Sequence, residues 1–75
     1  MKACILLKTG SGAHNEVAKA AGDIDGVKAA FPVLGRFDVI VRVETTDLAK
    51  VAQAVSDLNK IPLVLSSETL VELVG

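Results

Sequence analysis

The chain has 75 residues and carries eight Lys/Arg against nine Asp/Glu, a net charge of −1 with no basic cluster, so the electrostatic footprint of a nucleic-acid binder is missing. It is 51% hydrophobic with only two aromatics, which excludes a disordered segment and requires a core of Val, Leu, Ile and Ala. A single domain over residues 1–75 is at the size where one core holds a fold only marginally, so oligomerisation is expected, while no apolar run approaches the ~18 residues of a membrane span.

The first element is a strand, KACILLK (Lys2 to Lys8), a short apolar run with lysine at each end. Its Cys4 is the only cysteine, so no internal disulfide forms, and a buried thiol there points to a reducing compartment, the cytoplasm. The N-terminus lacks the basic-then-apolar layout of a signal peptide. TGSGAH (Thr9 to His14) is a turn into a helix, in which Val17, Ala20, Ala21 and Ile24 form one stripe with His14, Glu16 and Lys19 off it. Gly22 and Gly26 close that helix. VKAAFPVL (Val27 to Leu34) alternates Val27, Ala29, Phe31 and Val33 on one face, and Pro32, having no N–H, confines it to a sheet edge.

A third strand follows at once, with Gly35 and Arg36 as the hairpin connection. Phe37, Val39, Val41 and Val43 point one way, and Asp38, Ile40, Arg42 and Glu44 the other. Asp47 or Thr46 caps a second helix with Leu48, Val51, Val55 and Leu58 as its stripe, ending before Pro62. The last strand, LVLSSETLVELV (Leu63 to Val74), is apolar at both ends and polar from Ser66 to Thr69.

The order β-α-β-β-α-β describes an α+β, ferredoxin-like fold, a four-stranded antiparallel sheet with two helices on one face. The uncovered face should then be polar, yet Ile40 lies on it and strands 1 and 4 are apolar in both phases. A second copy packed sheet against sheet is the economical cover, so dimerisation through the open face is expected.

Enzymatic chemistry finds few residues to use. One histidine, one cysteine and no Cys-x-x-Cys give no metal site and no implied cofactor. His14 reads as a solvated residue beside a helix start, Ser66 and Ser67 have no evident activating base, and TGSGAH lacks the Gly-Lys-Ser/Thr of a phosphate-binding loop. No catalytic residue is assigned. What remains is Asp38 with Ser67 and Thr69, placed on or at the rim of the open face near backbone N–H groups freed by the Gly35 turn. Such a set can hold a zwitterion, Asp38 taking the ammonium and the hydroxyls and turn amides the carboxylate. The alternative is that Asp38 pairs with a Lys or Arg and the serines cap an edge; both readings stand.

GVKAAFPVLGRFDVIVRVETTD, then a helix, then IPLVLSSETLVEL resembles the effector-binding (RAM) domain of the Lrp/AsnC feast/famine regulators, across Lys2 to the end of the chain. Gly35, Phe37 and Asp38 fall on that family's Gly-x-Tyr-Asp positions, and Val64, Ser67 and Thr69 on its last-strand Val-x-x-Thr-x-Thr pattern. Leu34 stands where the family favours threonine, Phe37 for tyrosine and Ser67 for the first threonine. The resemblance implies an amino-acid effector held between subunits, with ligand-binding residues Leu34, Gly35, Arg36, Phe37, Asp38, Ser67 and Thr69. It also implies dimers assembling into a higher ring, commonly an octamer.

Full-length members carry a helix-turn-helix, whereas here strand 1 begins directly after Met1. A stand-alone domain without a DNA-binding part is therefore expected, acting through full-length Lrp/AsnC regulators, with neither nucleic acid nor membrane contacted directly. The leading expectation is a non-enzymatic amino-acid or small-metabolite sensor. Its alternatives are a structural assembly module with a degenerate pocket, or a small dimeric-barrel enzyme using His14 or Asp38 as base.

Overall fold

Ala3, Ile5, Leu7 and Thr9 are buried, while Cys4 and Leu6 between them are half-buried and Lys2 and Lys8 exposed. This period of two gives the first strand one face for a core and another that is apolar but uncovered. The computed structural model describes residues 1–73, with elements β1 (Lys2–Thr9), α1 (His14–Gly22), β2 (Val27–Pro32), β3 (Val39–Glu44), α2 (Leu48–Asn59) and β4 (Val64–Val71). The strands form one antiparallel sheet in the order β2-β3-β1-β4. This is the ferredoxin-like βαββαβ arrangement expected, and Pro32 lies on an edge strand as its missing N–H requires.

The core sits between one sheet face and both helices. Ile5, Leu7, Val39 and Val41 rise from the two central strands to meet Val17, Ala18 and Ala21 of α1 and Val51, Ala54 and Leu58 of α2. Burying each of the larger of these side chains stabilises by about 1.5–3 kcal/mol. The small alanines let the helices lie close to the sheet. Among the described residues no helix is long and apolar enough to cross a membrane.

Four local expectations are corrected. The α2 stripe is Val51, Ala54 and Leu58, with Val55 partly buried; Leu48, in the first turn, is 59% exposed because it lies beyond the core. In β2 the register shifts between Val27 and Ala29, two residues there opposing the single step from Val43 to Arg42. This bulge sets Val27 and Ala30 against the core and turns Ala29 and Phe31 to the open face, so the regular alternation fails. The connection to β3 is not a two-residue hairpin: residues 33–38 form the loop, closed by the Val33 N–H donating to the Asp38 carbonyl (2.9 Å), and Phe37 precedes the strand. On β4, Ser67 lies opposite Leu7 and Thr69 opposite Ile5, which places both on the helix side of the sheet rather than on the open face. The expected end of the last strand at Val74 lies outside the described residues.

Asp47 caps α2, its Oδ1 accepting the Lys50 N–H at 2.9 Å. Replacing it by alanine leaves that donor to water and should cost about 1 kcal/mol. Urea unfolding of D47A at fixed protomer concentration is expected to show the midpoint lowered with the slope unchanged.

Candidate functional site

The ladder between β1 and β3 ends at the pair Leu7–Val39. One residue earlier in the chain, the Asp38 N–H still donates to the Leu7 carbonyl (2.9 Å), but the backbone before it leaves the sheet. The next β1 donor facing that way, the Thr9 N–H, lacks a ladder carbonyl and donates instead to Asp38 Oδ2 at 2.8 Å. The carboxylate thus replaces a backbone acceptor. Thr9 is buried, so without that oxygen its N–H would pay the desolvation penalty of an unmade bond.

Two further bonds hold the loop. Val33 closes on Asp38 as described, and Lys8 Nζ donates to the Arg36 carbonyl at 2.8 Å. Gly35, at the loop's tip, has φ +156°, a value L side chains rarely adopt, and no atom lies within 4 Å of where a Cβ would stand. Its requirement is therefore conformational rather than steric.

Beside Asp38 is an open depression of about 340 Å³, lined by Pro32, Val33, Leu34 and Gly35 from the loop and by His14 and Asn15 from the start of α1. Leu34 projects fully into solvent. The site therefore joins an acid, an apolar wall and a helix N-terminus, whose free N–H groups favour negative charge. Among the described residues no three His, Cys, Asp or Glu side chains gather to hold a metal ion.

Of the residues singled out from sequence, Leu34, Gly35 and Asp38 come together here. Exposed Arg36 and half-buried Phe37 belong to the same loop without lining the depression. Ser67 and Thr69 do not join it within one subunit, since β1 stands between β4 and the β3 side of the sheet. His14, weighed from sequence only as a base, and Asn15, not singled out, also line the depression. Topology is the signal that finds them: α1 starts where β1 ends, and in an antiparallel pair that is the end where β3 begins.

The family model described as "Lrp/AsnC ligand binding domain" matches residues 2–73. The chain belongs to this family. Two solved structures similar to this Lrp/AsnC domain are the Pyrococcus horikoshii hypothetical protein PHS023 (31% identity, TM-score 0.87, covering 99% of this chain and 90% of that one) and FFRP-DM1 (32% identity, TM-score 0.86, 96% and 97%). E. coli AsnC shares the fold at 17% identity and TM-score 0.86; 99% of this chain is covered, but only 51% of AsnC. No curated protein sequence matches. Membership assigns an effector-binding, regulatory type of domain, and its Lrp/AsnC relatives are regulatory domains rather than enzymes.

The Asp38–Thr9 bond predicts different costs for two substitutions. Asp38→Ala strands a buried N–H and should destabilise by about 1–3 kcal/mol, whereas Asp38→Asn keeps an acceptor oxygen and should cost less than half as much. Denaturant midpoints of the two variants, measured at one protomer concentration, check the order.

Proposed function

We propose that this Lrp/AsnC domain is a non-enzymatic sensor of an α-amino acid, or of a small metabolite with the same zwitterionic head, bound in the depression around Asp38. The observation that carries the reading is the meeting of a carboxylate, a helix start and an apolar wall in one open cleft. Oδ2 is engaged by Thr9, but an ionised carboxylate has about four acceptor positions, which leaves capacity for an ammonium group. The start of α1 and the loop amides suit the ligand's carboxylate. Val33, Leu34 and Pro32 offer its side chain an apolar surface. Ser67 and Thr69, on an edge strand, are assigned to the site through a neighbouring subunit.

The assembly we propose is a dimer closed through the open sheet face, further dimers joining into a ring, with eight subunits as the expected size. Cys4, Leu6 and Ile40 on that face are only half-buried, and Phe31 and Leu70 are 40% and 52% exposed, an apolar surface that a chain of this size gains most by covering. Binding regulates by favouring one assembly over another, through differential affinity for the two. The domain acts in the cytoplasm, without touching DNA itself, by co-assembling with full-length Lrp/AsnC regulators. That AsnC contains this fold in about half its length supports the last step.

Calorimetry against the twenty amino acids, with native mass spectrometry alongside, tests the reading. Heat with at least one of them and a change in subunit number are expected, and Asp38→Asn should stay folded while its heat disappears. An Asn variant that binds normally removes the ammonium assignment. Silence with every amino acid removes the sensor, and favours the assembly-module reading, in which Asp38 serves only Thr9.

A further inference from the structure

The strand register places eight residues on the two middle rows of the open face, and six of them are apolar: Ala29, Phe31, Ile40, Cys4, Leu6 and Leu70. The other two are Arg42 and Glu68. Arg42 lies between Ala29 and Cys4, and Glu68 lies beside Leu6 on the neighbouring strand, one row away. Both are exposed, and among the described residues the side-chain hydrogen bonds involve neither of them. One charge of each sign therefore stands free in an otherwise apolar patch. Covering that patch with an apolar partner strips both of water with nothing in return, which is costly.

A second copy of the same face removes this cost only in particular orientations. Two strand spacings and one step of two residues separate Arg42 from Glu68, about 12 Å on a regular sheet. A two-fold axis lying between the two sheets, midway between these residues, brings Arg42 of each copy over Glu68 of the other. That midpoint falls above β1 between Cys4 and Leu6, on the β4 side of the apolar patch's centre, so matching the charges keeps Cys4, Leu6, Ile40 and Leu70 of the two copies over one another while Ala29 and Phe31 reach the outer row of Lys8 and Ser66. The same operation sets Leu6 against Ile40 and Cys4 towards Leu70, apolar against apolar.

We propose that Arg42 and Glu68 set the register of the open-face dimer by forming two reciprocal Arg42–Glu68 pairs about its two-fold axis. This rests on the open-face dimer proposed above and specifies its geometry. The occupant it selects is a second copy of this chain, since the middle rows carry one charge of each sign and two copies satisfy both across a two-fold axis.

Charge reversal of the full chain tests it, with dimerisation followed by sedimentation and native mass spectrometry and folding by circular dichroism. R42E and E68R should each remain folded but dimerise roughly a hundredfold more weakly, because each places like charges opposite one another twice. Mixing the two variants should produce heterodimers, in which both pairs regain opposite signs, and the double variant R42E/E68R should dimerise like the parent. The proposal is overturned if either single variant dimerises like the parent, or if neither mixture nor double variant restores association. Leu6→Glu separates those failures from failure of the open-face dimer: it should be monomeric whichever register holds, and an L6E dimer as tight as the parent sinks the open-face reading together with this one.

Discussion

Two helices cover one face of a four-stranded sheet, and the rest of the structure follows from that one-sided coverage. The covered face supplies a core of aliphatic side chains with alanines at the closest helix approaches. The other face has no covering element among the described residues, although Phe31, Ile40, Leu6, Cys4 and Leu70 share it. In a larger protein a further layer would bury such a surface. Among the described residues no such layer is present, and the dimer we propose would supply the cover from outside the subunit.

Asp38, the acid of the proposed site, has a structural role of its own. The β1–β3 ladder stops at the Leu7–Val39 pair where β3 begins, and the acid just before it fills the gap by accepting the Thr9 N–H. The bond pins the six-residue loop to β1 and orients the carboxylate towards the depression that His14 and Asn15 border. An acid on an unsupported loop would lose its geometry to side-chain motion; here one carboxylate oxygen is used to hold the group still, as the proposed binding role requires. The same bond explains why an acid stands beside a valine-rich strand at all.

Much of the fold was legible. The apolar run from Lys2 to Lys8, the alternation of Val39, Val41 and Val43, the cap at Asp47 and the edge placement of Pro32 are all local signals, and each is realised. The losses occur where a signal is local in origin but global in outcome. Leu48 fits the helical period, but its turn lies past the core. Val27, Ala29, Phe31 and Val33 alternate in sequence, but a bulge breaks the phase. Ser67 and Thr69 lie in a strand apolar in both phases, so composition does not say which way they point; pairing with Leu7 and Ile5 does. Of the residues lining the depression, Gly35 and Asp38 stood out in the sequence for their chemistry, His14 only as a candidate base and Asn15 not at all.

By itself the sequence determined the order of elements, the aliphatic core and the family, because periodicity, turn residues and short motifs are properties of neighbouring residues. Only the tertiary structure decided what Asp38 bonds to, that the start of α1 borders the same depression, and that Arg42 and Glu68 are the two charges of the middle rows of the open face. Those facts depend on strand register and on which ends of distant elements meet. Register is set by long-range pairing, and no local run of residues contains it.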